Sequence, residues 1–201
     1  MDTTSTLAMA MGSSWLSGVN LYATVATLGL LGRFAHVPLP GSLDALTNWW
    51  VIGIAGTMYC VEFVADKIPA VDTAWDAIHT FIRVPAGAVL AAASVTTFDS
   101  TIQTIALLIG GGLALTSHTT KATTRAAINT SPEPVSNIAV SAAEDVLAIG
   151  GVSLAVYYPM VMIAVVVVGV VAAFIIIPKL IGYLRRVIGF VGNWREKLRN
   201  L

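Results

Sequence analysis

Residues 146–178 read VLAIGGVSLAVYYPMVMIAVVVVGVVAAFIIIP, 33 positions without a single charged side chain. At 1.5 Å of rise per residue, one helix of that length would reach about 50 Å, far beyond a hydrocarbon core of about 30 Å. The run must therefore fold into two helices. Tyr157-Tyr158-Pro159 marks the division, because tyrosine favours the membrane interface and proline breaks a continuing helix.

Working outward, the chain holds four more uncharged runs: Thr3 to Gly32 (30 residues), Ala45 to Val61 (17), Val84 to Phe98 (15) and Ser100 to Thr120 (21). Together they predict an all-α membrane protein of about six transmembrane helices, near residues 12–34, 49–66, 83–98, 101–122, 136–156 and 159–178. Composition points the same way. Hydrophobic residues make up 56% of the 201 and charged ones 11%, against roughly 25% charged in a soluble domain whose surface must be hydrated. Before the first apolar stretch stands Asp2 but no Lys or Arg, so the basic start of a signal peptide is missing and a retained span is expected. A formal net charge of zero leaves no basic surplus for phosphate, so nucleic acid is not an expected partner.

Lys and Arg set the expected orientation. The tail carries Lys179, Arg185, Arg186, Arg195, Lys197 and Arg199 against one acid, Glu196. With six alternating spans and this tail in the cytoplasm, Lys67, Arg83, Lys121 and Arg125 fall on the same side and Arg33 alone on the other. Both termini are then expected to be cytoplasmic. Within the tail, Leu180, Leu184, Val187, Ile188, Val191, Trp194, Leu198 and Leu201 recur at spacings of three and four between basic residues. That divides the chain into a polytopic domain, 1–178, and a basic amphipathic helix, 179–201, suited to anionic lipid headgroups.

An internal repeat emerges when the chain is slid by 57 residues. Val51–Ser94 then lies beside Leu108–Gly151 with nine identities in 44 positions, among them Ile52-Gly53 on Ile109-Gly110 and Val89-Leu90-Ala91 on Val146-Leu147-Ala148. Asp72 meets Asn129 and Asp76 meets Glu133. Each unit reads helix, cytoplasmic loop, helix, so the two units would run parallel about an axis along the membrane normal.

Ionisable groups within spans are the sharpest functional clue, since a carboxylate at the bilayer centre costs about 2.5–3.5 kcal/mol and normally faces an interior or a water path. Glu144 and Asp145 lie some ten residues past Pro134, roughly 15 Å into the membrane. Glu62 and Asp66 are four apart and share one helix face; Asp72, Asp76, His79 and Arg83 continue at spacings of three and four. Thr116, Thr119, Thr120 and Thr123 surround His118, Lys121 and Arg125, and Asn129-Thr-Ser-Pro-Glu-Pro134 forces a loop with two prolines flanking Glu133. Lys67, Arg83, Lys121 and Arg125 are the expected charge partners of Glu62, Asp66, Glu144 and Asp145. His36, His79 and His118 are too dispersed for a metal site, Cys60 stands alone in an apolar run, and no phosphate loop, nucleophile elbow or HExxH occurs. No metal, cofactor or catalytic residue is expected. Gly110-Gly111-Gly112, inside an apolar span, suits close helix packing.

Ser17-Gly-Val-Asn-Leu-Tyr-Ala-Thr24, Gly29-Leu-Leu-Gly-Arg33, Glu62-Phe-Val-Ala-Asp-Lys-Ile-Pro69, Asp72-Thr-Ala-Trp-Asp76, His79-Thr-Phe-Ile-Arg83 and Asn129-Thr-Ser-Pro-Glu-Pro134 resemble a bacterial membrane family catalogued as domain of unknown function 4126. The resemblance runs from about Ser17 to Lys179 and implies a bacterial inner membrane, with no stated activity. Glu62-Phe-Val-Ala-Asp66-Lys67 also resembles the Glu-x-Gly-Asp-Lys motif of repeat-built divalent-cation/proton exchangers. Its spacing is one residue longer, Ala65 replaces the glycine, and Thr119 and Thr123 replace the second unit's acids.

The expected function is a small secondary transporter or channel for a solute or cation, with a homo-oligomer supplying a thicker wall. Glu62, Asp66, Asp72, Asp76, His79, Asn129, Glu133, Glu144 and Asp145 are the candidate substrate- or ion-binding residues. The competing expectation is a non-transporting scaffold or assembly factor whose buried charges are structural ion pairs.

Overall fold

The computed structural model describes residues 2–130 and 134–199; of residues 134 and 191–199 it describes the backbone alone. Glu133 and Leu201 lie outside the described residues, as do the side chains of Val191, Trp194 and Leu198. Six helices follow in order, α1 (Thr3–Phe34), α2 (Trp49–Ala65), α3 (Pro69–Ser94), α4 (Ser100–Ile128), α5 (Pro134–Tyr157) and α6 (Pro159–Arg199), with a short 3₁₀ turn at Leu43–Thr47. The protein is thus an all-α membrane protein. By length and composition α1, α3, α4, α5 and α6 can each cross a bilayer; α2, at 17 residues, is shorter.

Local chemistry fixes the ends. Asp2 accepts from the Ser5 amide at 2.8 Å to start α1, Asn48 accepts from Trp50 at 2.8 Å to start α2, and Asp99 accepts from Thr101 and Ile102 at 2.8 and 3.1 Å to start α4. Pro69 occupies the first turn of α3. Tyr157-Tyr158-Pro159 divides α5 from α6 as expected. Several boundaries differ from expectation: α1 begins at Thr3, before residue 12, and α4 runs past residue 122 to Ile128. α3 begins at Pro69, well before residue 83, so Asp72, Asp76, His79 and Arg83 belong to the helix that continues into the apolar stretch. α6 runs unbroken through Pro178 to Arg199, so no helix end separates the amphipathic segment from the preceding span.

α1 does not run straight. Asn20 has an extended backbone (φ −149°, ψ 99°) and divides it into two halves. Neighbours along each half show their directions. Leu7 and Ala10 pack near Val95 and Ile102, where α3 ends and α4 begins. Ser14 donates to the Gly87 carbonyl at 2.7 Å, Ser117 to the Trp15 carbonyl at 2.7 Å, and Asn20 reaches Asp145. Beyond the break Tyr22 meets His79, then Gly29 lies against Leu46 and Ile52, and Phe34 against Trp49 at the start of α2. The Ser42 amide then donates to the Ala93 carbonyl at 2.8 Å. The chain descends from the α3–α4 turn and climbs back to it. Six alternating spans would leave both termini at one end of the bundle; instead the start of α1 and the end of α6 lie at opposite ends.

α1 is the core of the bundle, since most of Thr6–Gly29 is buried and the other helices pack around it. Small residues permit this. A Cβ at Gly18 would collide with the Ala114 carbonyl and Ser117 Oγ, and one at Gly87 with Ala114. Of the glycine triplet, Gly110 is pressed against Ala91 and Gly111 touches Ala88, while Gly112 faces open space. Large apolar residues such as Phe81, Val146 and Phe174 are exposed on the outside, as lipid-facing positions should be.

Candidate functional site

Where α2 ends and α3 begins, four acids turn inward: Glu62, Asp66, Asp72 and Asp76, all buried. The inner third of α4 brings Lys121 and Arg125 to them, α3 adds Arg83, and α5 adds Glu144 and Asp145. The result is one continuous charge network against the tip of α1.

Arg83 is its upper clamp. Its Nη2 donates to Glu62 Oε1 at 2.7 Å, and its Nη1 to Asp76 Oδ1 and His118 Nδ1 at 3.1 Å and to the Gly18 carbonyl at 3.5 Å. That carbonyl is available because the extended backbone at Asn20 interrupts the helix that would otherwise use it. An arginine only donates, so His118 Nδ1 accepts and the ring proton sits on Nε2. Nε2 donates to Thr80 Oγ1 at 2.8 Å and the Asp76 carbonyl at 3.1 Å.

Lys121 is the hub. Its Nζ lies 3.4 Å from Glu62, 3.3 Å from Asp66, 3.9 Å from Asp76 and 3.4 Å from Glu144. Arg125 closes the lower end, 3.1 Å from Asp66, 3.2 Å from Glu144 and 3.6 Å from Asp72. It also donates to both oxygens of Asn137, whose own amide donates to the Asp66 carbonyl at 3.0 Å. Asn129 donates to Asp72 Oδ2 at 2.9 Å, joining the two positions that the 57-residue offset pairs.

Adjacent on α5, Glu144 and Asp145 diverge, as a 100° turn per residue requires. Glu144 faces Lys121 and Arg125, while Asp145 Oδ1 accepts from Asn20 Nδ2 at 3.2 Å. Asn20 Oδ1 in turn accepts from the Ala23 amide at 2.9 Å, capping the second half of α1. His79 donates from Nδ1 to the Trp75 carbonyl at 2.8 Å, and its Nε2 accepts from Tyr22 at 3.1 Å.

Lys67 stands apart from this network. Its ammonium donates to the Phe63 carbonyl at 2.8 Å, lies over the Phe63 ring, and approaches Ser141 at 3.4 Å, with no carboxylate among the described residues within ion-pair distance. The hydroxyls of Thr116, Thr119, Thr120 and Thr123 turn back onto carbonyls of their own helix. Asn20, Tyr22, His118 and Asn137 were not among the expected site residues. Asn20 and Tyr22 lie within the Ser17–Thr24 motif and His118 beside Lys121, but Asn137 carried no signal of its own.

Counting decides what the network can do. Among the described residues, five carboxylates (Glu62, Asp66, Asp72, Asp76, Glu144) contact three buried bases (Arg83, Lys121, Arg125), and a sixth, Asp145, is buried against Asn20 instead. Glu62 Oε2, Asp66 Oδ1, Asp76 Oδ2 and Asp145 Oδ2 are buried without a hydrogen-bond partner. Among those same residues no three His, Cys, Asp or Glu side chains converge on one point as metal ligands would.

Cavities among the described residues reach the network. One of about 250 Å³ lies between α1, α4 and α5, with Lys121 and Glu144 in its wall, and one of about 220 Å³ between α3 and α4 exposes Asp76 and Arg125. Neither a curated protein nor a solved structure matches the chain. A family model does, over residues 7–179, and the protein therefore belongs to the family described as Domain of unknown function (DUF4126).

Proposed function

We propose that this integral membrane protein is a small secondary transporter or channel in which the buried carboxylates carry protons or bind a cationic solute. One observation carries the reading: six intramembrane acids for three buried bases. Ion pairing alone compensates half of them, and an unpaired buried charge is too costly to persist. The remainder must hold protons or a bound cation. A helix broken at the network, with polar backbone turned into it, supports the same reading, because transporters build solute sites from such interruptions.

Glu62, Asp66, Glu144 and Asp145 are the exchanging groups, with Asp72, Asp76, His79 and Asn129 beside them and Arg83, Lys121 and Arg125 as fixed counter-charges. α2–α3 and α4–α5 act as two parallel repeats, a reading supported by the Asp72–Asn129 contact across the offset. The membrane is the bacterial inner membrane. The C-terminal end of the bundle faces the cytoplasm, where Lys179, Arg185 and Arg186 meet anionic lipid. A homo-oligomer thickens the wall around the pathway.

The competing role, a scaffold held by structural ion pairs, draws on the fact that every buried base contacts at least two acids. Proteoliposomes containing a pH-sensitive dye separate the two. A transporter acidifies or alkalinises the lumen when a proton or cation gradient is imposed, and Glu62→Gln abolishes the signal. No movement of protons or of any solute in a broad cationic panel leaves the scaffold.

A further inference from the structure

We propose that α1 is a re-entrant hairpin that enters and leaves the membrane on one face, and that it forms the barrier between that face and the charge network. The chain then crosses the bilayer five times, through α2 to α6, and its two termini lie on opposite faces.

Length argues first. A crossing helix needs about 20 residues for a hydrocarbon core of about 30 Å. The halves of α1 hold 17 residues (3–19) and 14 (21–34), which rise about 25 and 21 Å. Neither spans. Direction argues second. Leu7 and Ala10 on the first half, and Gly29 and Phe34 on the second, lie at the same end of the bundle, beside the α3–α4 turn and the start of α2. Asn20, the turning point, lies against Asp145, halfway along α5. The backbone groups that the turn frees are met inside protein, by Arg83 at the Gly18 carbonyl and by Thr24 Oγ1 at the Asn20 carbonyl, which is the condition for non-helical backbone at membrane depth. The longest uncharged run of the N-terminal half is therefore the segment that does not cross.

The cavities give the barrier its sidedness. Of those touching charged residues, the one at Asp76–Arg125 lies beyond the hairpin tip toward the C-terminal end, and the one at Lys121–Glu144 runs from Thr124 and Val140 near that end up beside Trp15 and Val19 on the first half. Above the tip, a cavity of about 370 Å³ is walled by Leu21, Val25, Ile54, Val89 and other apolar groups, with Tyr22 the one polar side chain. A second, beside Leu7 and Ala10, has no polar side chain. Water and ions therefore reach the network from the C-terminal face, and only movement of the hairpin opens the other route.

Cysteine labelling with a membrane-impermeant maleimide tests this without relying on transport activity, so absence of flux would leave its result intact. In a Cys60→Ser background, the exposed positions Thr3→Cys and Thr97→Cys should react from one face of oriented vesicles and Gly189→Cys from the other. Thr3→Cys reacting with Gly189→Cys would make α1 an ordinary span and end the proposal. For the barrier, Ala126→Cys should react from the Gly189 face and Val25→Cys should be silent from the Thr97 face. Labelling of Val25→Cys from that face, or none of Ala126→Cys from the other, overturns the gate.

Discussion

Lys121 illustrates how the network is held together at the scale of single residues. Four carboxylates lie within 3.9 Å of its ammonium, and truncating it to Met would leave them facing one another in low dielectric. Breaking a buried pair in this way costs about 3–5 kcal/mol. Lys121→Met is therefore expected to lower abundance and melting temperature sharply, and Glu144→Gln in the same chain should restore part of the loss because it removes the excess charge. Equal instability of the double variant would mean that Lys121 acts through packing. Asn20 does something different. It caps the second half of α1 through Ala23 and holds Asp145. Asn20→Ala should cost about 1–3 kcal/mol, one cap plus one hydrogen bond left unmade at a buried acid, and a thermal melt in detergent reads it. Asn20→Ser, which can still cap, should lie in between.

At the scale of helices, packing depends on small residues at crossings, so equivalent substitutions should differ widely. Gly18→Ala drives a Cβ into the Ala114 carbonyl and Ser117, on backbone that cannot yield, and should cost about 1–3 kcal/mol. Gly112→Ala, with nothing near it, should be neutral or slightly stabilising, since alanine is the better helix former. Asp99, exposed at the start of α4, gives a pH effect of known sign. Its carboxylate accepts backbone amides of Ile102 and Thr101, which hold its pKa below the ordinary 3.8. The ionised cap is favoured in the folded state, so its contribution is present above the unfolded value and fades as pH falls through the folded one. Asp99→Asn should flatten that acid limb of the melting profile. The α5–α6 division and the Asp72–Arg83 stripe were legible because both are local, one a breaker between apolar runs, the other a helical period. The reversal of α1 was not. Thirty uncharged residues read as a span, and the single polar residue at which they fold back is placed by Asp145, 125 positions away. Lys67 and Lys121 likewise carry the same charge in the sequence, and only the rotation of each helix decides which one meets the acids.

For the whole molecule, the formal charge of zero conceals a division, because six acids are concentrated inside while Lys179, Arg185 and Arg186 lie outside. An interior with three more acids than bases is stable only while something positive fills the deficit. Protons and a bound cation make opposite predictions. If protons fill it, the folded protein binds more of them than the unfolded chain, so stability falls as pH rises. The infrared band of protonated carboxyl groups should then persist at neutral pH and lose intensity in Asp145→Asn and Glu144→Gln. If a cation fills it, the band is weak at neutral pH, and melting temperature instead rises with the concentration of that ion, as any ligand that binds only the native state requires. The expected outcome is a carboxyl band at neutral pH, a melting temperature that declines toward alkaline pH, and indifference to sodium, potassium and magnesium. A protein with no such band, stabilised by none of these ions and equally stable at every pH, would contain a balanced interior, and the charge count on which proton handling rests would be wrong.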